Sequence, residues 1–347
     1  MATTIRQLAA AAGVSVATAS RALSGSSAVA PATTEMVLRV ASELDFTPSR
    51  LGRSLATGST GNIGVILPDV TNPFYTSFLA ELASVLGASE FGLLIGDSQE
   101  SPDLEKLLIQ RMTSQVDALV LASSRLDDTS IVAAAARLPV VLSNRMLAET
   151  SEMPESLVQI TIDVDAGFTQ VIRHLHSLGH RALVYIDGPA HSWSGRQKLR
   201  VMTRNCAELR MRLMTVATER PDFAAGRDVA VDLLASGDIP TAIVAFNDQV
   251  ALGVLSCLRE SGLAVPSDIS VVGCDDSLPT GMAWPSLTTV NSSSRTLGAL
   301  TAGAILDRRR SDRGTVPTTL VVRESTGPVR SSVRPILSMT PSDERPD

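Results

Sequence analysis

Apolar runs in this chain repeatedly end on carboxylates, amides and aromatic rings. "NIGVILP" leads into Asp69, Asn72, Phe74 and Tyr75; "AIVAF" closes on Phe246 and leads into Asn247 and Asp248; "ISVVG" leads into Asp275 and Asp276. Carboxylates beside amides accept and donate hydrogen bonds together, which suits vicinal hydroxyls, and an aromatic face suits the apolar side of a sugar ring. The chemistry these types support is the grip on a small ligand. Bond-breaking chemistry has no comparable set, since no nucleophile and base stand in a recognisable pair. The glycines of "GSTGNIG" precede their strand, whereas a phosphate loop follows one. His174, His176 and His180 suggest a metal cluster, but only His176 and His180 share a helix face. Neither catalysis nor a metal or cofactor is expected.

A second chemistry is suggested at the N-terminus. The 347 residues carry a net charge of −6, yet residues 1–60 hold Arg6, Arg21, Arg39, Arg50 and Arg53 against Glu35, Glu43 and Asp45. That segment is net +2 and the remainder net −8, the asymmetry of a small module that meets a polyanion, attached to an acidic body. The stretch "PSRLGRSLATG", Pro48 to Gly58, reads as a helix of two or three turns, with Leu51 and Leu55 four apart. Isolated helices under about 12 residues are marginal in water, and Gly52 costs roughly another 1 kcal/mol relative to alanine. Such a helix is expected to order only on binding.

The elements that position these residues follow from periodicity. Thr4 and Gln7 form a capping box, Ile5 and Leu8 begin an apolar face, and Gly13 stops the first helix. Ser15 caps a second helix, "VATASRAL", at helix-turn-helix spacing, with Ala19 and Leu23 facing inward. A third helix follows Pro31, with Val37, Val40, Ala41 and Leu44 as its packing stripe. Beyond Gly58, "NIGVILP", "FGLLIGD", "VDALVLA" and "LPVVLS" read as buried parallel strands separated by helices over 73–86 and 103–114. A second series follows from near residue 160: the helix "AGFTQVIRHLHSLGH", the strands "ALVYID", "TAIVAF" and "DISVVG", and the helix "DQVALGVLSCLRESG". The fold class is α/β: an all-α helix-turn-helix headpiece, then two doubly wound lobes. A helix over 296–306 and the strand "TTLVVR" are expected to cross back and complete the first lobe. The expected boundaries are 1–47 for the headpiece, 48–60 for the short helix and linker, 61–161 with 291–330 for the first lobe, 162–290 for the second and 331–347 for a disordered tail.

Composition is that of a globular chain, 44% hydrophobic and 19% charged. Cys206, Cys257 and Cys274 are odd in number and far apart, which fits buried thiols in a reducing cytoplasm. No apolar run approaches a membrane span and no signal peptide opens the chain, so a cytoplasmic protein without a membrane partner is expected.

The chain resembles the lactose-repressor-type (LacI/GalR) transcriptional regulators. The resemblance runs from Thr4 to about Thr326 and is carried by "TIRQLAAAAGVSVATASRAL", "RSLATG", "IGVILPDVTNPFY", "HLHSLGHR", "FNDQVALG", "VPSDISVVGCDD", "PSLTTV" and "LVVREST". It implies a three-helix DNA-binding headpiece, a hinge helix, and a core of the periplasmic sugar-binding type that binds a small effector and dimerises. On that basis Ser15, Val16, Ala17, Thr18 and Arg21 are the major-groove residues. Arg21 is suited to a two-pronged contact with guanine, and Val16 and Ala17 to a thymine methyl. Arg50, Arg53 and Leu55 belong to the hinge. In relatives the leucine intercalates in the minor groove, where a wedge selects a flexible step without reading base edges.

The same resemblance places Phe74, Tyr75, Asp163, Asn247 and Asp275 at effector positions, with Phe246 beside them. One departure stands out: Lys198 replaces a family arginine in "GRQKLRVM", and Val164 replaces a common asparagine. An ammonium cannot reproduce a planar fork, so effector identity does not carry over, and Trp193 and Arg196 are candidates to compensate. The expected function is an effector-controlled repressor acting on a pseudo-palindromic double-stranded operator. The expected effector is a carbohydrate, and the expected assembly is a homodimer, since the tail lacks leucine heptads. An activator of the same build is the alternative; a transport-type binding protein has no use for residues 1–58.

Overall fold

The computed structural model describes residues 3–23, 27–46, 59–148, 153–237, 240–277, 283–307 and 314–329. The expected hinge over 48–58, the basic run over 308–313 and the expected disordered tail lie outside the described residues. Two compact units emerge, Met1–Asn62 with Ser114–Asp117, and Ile63–Thr113 with Ala118–Asp347.

The first unit carries helices α1 (Ile5–Ala11), α2 (Val16–Leu23) and α3 (Pro31–Glu43). The capping box forms reciprocally: Thr4 Oγ1 accepts from Gln7 N, and Gln7 Oε1 accepts from Thr4 N at 2.8 Å. The turn to α2 passes through Gly13 at φ +64°, a conformation that a side chain would strain. Leu8, Ala9, Ala12, Ala19, Ala22, Val37 and Ala41 close a small core, with Val14, Leu23, Val40 and Leu44 packed at its edge.

The second unit holds two six-stranded sheets. In the first, β1 (Asn62–Leu67), β2 (Gly92–Asp97), β3 (Ala118–Ala122), β4 (Val140–Ser143), β5 (Leu157–Asp163) and β11 (Gly314–Pro317) lie in the order β11-β5-β4-β3-β1-β2. The helices of this lobe are α4 (Pro73–Gly87), α5 (Pro102–Met112), α6 (Asp128–Ala135) and α11 (Ser294–Leu306). In the second, β6 (Ala182–Asp187), β7 (Arg212–Ala217), β8 (Ala242–Ala245), β9 (Ser270–Asp275), β10 (Thr288–Asn291) and β12 (Thr319–Val321) lie in the order β12-β10-β9-β8-β6-β7. Its helices are α7 (Val164–Ser177), α8 (Trp193–Glu208), α9 (Phe223–Ala235) and α10 (Asp248–Glu260). Strands β1, β3, β4, β5 and β11 pair in parallel, as do β6–β10, whereas β12 pairs antiparallel with β10.

Three sequence expectations need correction. "TTLVVR" does not complete the first lobe: β12 within it pairs with β10 of the second sheet, and the strand that returns to the first is β11, "GTVP". Segment 291–330 is therefore shared between lobes, because Thr318 lies between two strands that join different sheets. The first lobe also runs past residue 161, since β5 continues to Asp163 and α7 starts at Val164. Two strands had no local signal: β5 mixes polar with apolar residues, and β7 is an edge strand whose residues are exposed or half-buried.

Thr318 is buried where the chain passes between sheets. Its Oγ1 donates to Asp163 O at 2.6 Å and accepts from Gly167 N at 3.0 Å. Gly167 has no room for a Cβ, which would meet Thr318 Oγ1 and Val290 at 2.6 Å.

Candidate functional site

In the first unit, the start of α2 is set by Ser15 as a helix cap. Its Oγ accepts from Thr18 N at 3.0 Å and pairs with Thr18 Oγ1 at 2.8 Å. This cap turns the first turn of α2 outward. Ser15, Val16, Ala17 and Arg21 are exposed and Thr18 is half-buried, while Ala19 and Ala22 face the core. Val16 is 44% exposed, so its methyl groups are open to a partner surface. Arg50, Arg53 and Leu55 lie outside the described residues.

In the second unit, the strand order reverses between β1 and β3 and again between β6 and β8, so each lobe opens a crevice at the carboxyl ends of those strands. In the first lobe, Asn72 caps α4, its Oδ1 accepting from Phe74 N at 2.9 Å, and so delivers Phe74 and Tyr75 just past β1. Their rings meet edge to face, 5.1 Å between centroids, and both are buried, a favoured arrangement for aromatic quadrupoles. Burial pushes the Tyr75 phenol upward, with Arg125, Glu100, Ser123 and, from the other lobe, Asp275 as its polar surroundings.

Two buried arginines complete this wall. Arg125 Nε donates to Glu100 and its Nη1 to Ser123 O, while Arg125 N donates to Glu105 Oε2 at 2.9 Å. Burial works to lower the Arg125 guanidinium, but the charge of Glu100 and the hydrogen bond to it, with Tyr75 and Glu105, together outweigh burial and hold the pKa up. Arg145, just past β4, donates to Asp128, Met146 O and Leu126 O. Between them Asn144 Nδ2 donates to Ser123 Oγ at 3.0 Å, and Asn144 Oδ1 is buried with no hydrogen-bond partner among the described residues.

In the second lobe, Ser192 caps α8 and sets Trp193 at its first position. One turn on, Arg196 donates to Ala190 O at 3.2 Å; burial and the nearby Arg145 of the first lobe lower its pKa. Lys198 points inward. Its Nζ donates to Phe246 O at 2.8 Å, lies 4.2 Å from the Phe246 ring centroid and 5.7 Å from that of Phe168, so that both ring faces meet the cation. Burial works against this ammonium, yet Cys274 and Asp275 beside it more than restore the charge. Asp275 accepts from Ser292 Oγ at 3.2 Å, and burial pushes its carboxyl up against the pull of Lys198.

Asn247 is a fully buried cap: its Oδ1 accepts from Val250 N at 2.9 Å and its Nδ2 donates to Pro221 O at 2.8 Å. Asp163 is exposed at the crossover between lobes and caps α7 through Asp165 N at 2.9 Å. Lys198, Phe246 and Asp275 are thus brought together, Tyr75 faces Asp275, and Arg196 faces Arg145 and Arg125. Asn247 and Asp163 spend side-chain oxygens on their own helices.

Arg125, Arg145 and Asn144 were not anticipated from the sequence. Their one local signal is position, since each stands one to three residues past an apolar run, in "VDALVLASSR" and "LPVVLSNR". His174 bonds Thr326 Oγ1 and His180 bonds Thr241 Oγ1 and Gly327 O; among the described residues no group of three or more His, Cys, Asp or Glu is arranged around a metal-sized point. Among those residues, too, no helix is long and apolar enough to cross a membrane.

Comparisons with known proteins agree with this division. Residues 4–49 match the family described as "Bacterial regulatory proteins, lacI family", and residues 172–326 match a periplasmic binding protein-like domain. The chain is similar to the transcriptional repressor CytR of Escherichia coli strain K12, 30% identical over 83% of this chain and 84% of that one. The fold is similar to that of the lac repressor dimer bound to operator and the anti-inducer ONPF, with TM-score 0.82, 26% identity, and coverage of 94% and 100%. It is also similar to a transcriptional regulator CelR–cellobiose complex, with TM-score 0.67, 27% identity, and coverage of 93% and 99%.

Proposed function

Because this chain belongs to the LacI family of bacterial transcriptional regulators, we propose that it is a repressor whose paired headpieces hold a pseudo-palindromic operator and whose grip is set by a carbohydrate bound between the lobes. It is a DNA-binding regulator with an effector-type core; operator, effector and dimer are the finer reading. On the DNA side, Arg21 makes the fork contact to guanine, Val16 and Ala17 touch thymine methyls, and Ser15 and Thr18 hold the helix start against the backbone. Arg50, Arg53 and Leu55 serve the connector between head and core.

The observation that carries the DNA reading is the Ser15-capped α2, which buries one face and leaves the first turn, with apolar Val16, open. On the effector side, Phe74, Tyr75, Asp163, Trp193, Arg196, Phe246, Asn247 and Asp275 surround the crevices. The buried, unpartnered Asn144 Oδ1 accepts a ligand hydroxyl there. Lys198, which commits one of its three donors to Phe246 O, belongs to the same set. The likeness to a cellobiose-bound regulator supports a carbohydrate.

Selection of random duplex by the purified full-length protein tests the first half. Enrichment of a two-fold-related motif is expected, and Arg21→Ala is expected to lose about 1–3 kcal/mol of discrimination at one guanine per half-site. Recovery of no motif overturns the reading. A panel of mono- and disaccharides, followed by thermal shift and by release of the selected duplex, tests the second; a protein that answers only to non-carbohydrate metabolites overturns the effector class.

A further inference from the structure

Within "GSTGNIG", which has no phosphate-loop role, residues 59–62 are held by a dense set of hydrogen bonds outside the site. Asp117 Oδ1 accepts from Thr60 N at 2.6 Å and from Thr60 Oγ1 at 2.9 Å; Oδ2 accepts from Gly61 N at 2.9 Å and from Ser59 Oγ. Asp117 N donates to Asn62 O at 2.8 Å, and Asn62 Nδ2 donates to Gln115 O at 3.3 Å. A carboxylate has about four lone-pair sites, so this one is saturated by a single tripeptide. Burial works to raise its pKa, but the hydrogen bonds from Ser59, Thr60 and Gly61 outweigh this and hold it below the usual aspartate range.

Pairing of β1 with β3 begins at Ile63↔Ala118 and does not need these bonds. Residues 59–61 lie ahead of that ladder, and charge-assisted bonds are a strong way to hold three otherwise unladdered residues. Fixing them carries an entropy cost that the sheet does not require. We infer that Asp117 is a positioning residue for DNA binding: it pins the point where the chain passes from the connector into the first sheet, so that the connector's end is held at the start of β1. Without the pin, residues 59–61 become slack, and ordering them is added to the cost of operator binding. The inference rests on the reading of residues 48–58 as the connector.

The test uses full-length protein and the selected duplex. Asp117→Asn keeps the shape but turns an N–H donor toward the Gly61 and Ser59 donors; Thr60→Ala removes one bond only. Asp117→Asn is expected to speed amide exchange at Thr60 and Gly61 and to weaken selected-duplex affinity about tenfold. Random-duplex affinity should stay within about twofold and the unfolding temperature within a few degrees. Thr60→Ala is expected to weaken selected binding about two- to threefold. Faster exchange with selected-duplex affinity unchanged in both variants overturns the inference and makes Asp117 a cap only. A wild-type chain that selects no duplex instead overturns the parent reading.

Discussion

The two lobes share a strand order, yet their crevice walls hold their cations in different ways. The first lobe buries guanidiniums, each met by a carboxylate from another element: Arg125 by Glu100, and Arg145 by Asp128. The second sets Asp275 near the Lys198 ammonium and Asp248 near Asp275. A guanidinium stays protonated, whereas a buried carboxyl can take up a proton. Glu105 of the first lobe is likewise pushed up by burial, so the contrast lies in the cations: two ion-paired guanidiniums in the first wall and one ammonium on a backbone carbonyl in the second.

The largest effect expected from breaking this contrast is at Arg125. Arg125→Met leaves Glu100 nearly buried without its salt-bridge partner. Urea unfolding is expected to show a loss of about 3–5 kcal/mol. Lys198→Met should cost less, roughly 2 kcal/mol, because Lys198 Nζ bonds a backbone carbonyl, Phe246 O, and lies near a carboxyl without a direct ion pair, whereas Arg125 is ion-paired to Glu100. The carboxyl near Lys198 is Asp275, already pushed up by burial, and the loss is expected to shrink when the measurement is repeated at lower pH. Equal costs at both sites and both pH values would erase the distinction.

The third effect is a slope, smallest when read per pH unit. Burial first, then the Asp275 charge, raises Asp248 to about 8, against the hydrogen bonds from Thr289 Oγ1 and Ser277 N. The unfolded chain releases this proton near the ordinary aspartate value and the folded chain keeps it until about 8, so the folded state binds more protons between those limits. Stability should thus fall as pH rises through that window, by at most about 1.4 kcal/mol per unit, and Asp248→Asn should flatten the slope whatever it does to the baseline.

Legibility in the sequence followed the range of the interactions. The headpiece was readable because its determinants are local: Thr4 with Gln7, Ser15 with Thr18, and a stripe on α3 all act within one helix turn or two. Strands buried on both faces announced themselves as apolar runs, whereas β5 and edge strand β7 did not, because their polar residues answer to position in the sheet. In the crevices, strand-end residues such as Tyr75 and Asp275 could be listed, but Arg125 and Arg145 could not, since their partners stand 25 and 17 residues away. Lys198 was legible as a substitution, but its bond to Phe246 O was not, since that carbonyl stands 48 residues away.

The link between lobes through Thr318 has a mechanical consequence. The chain passes from sheet to sheet at Asp163, near Asn291 and at Thr318, and Thr318 Oγ1 ties the third strap to the first while Gly167 packs the junction without clearance. Straps bonded side by side cannot lengthen or slide independently, so one lobe can swing against the other only about their shared line. A body strapped in that way gives a small molecule held between the lobes few relative motions to act on.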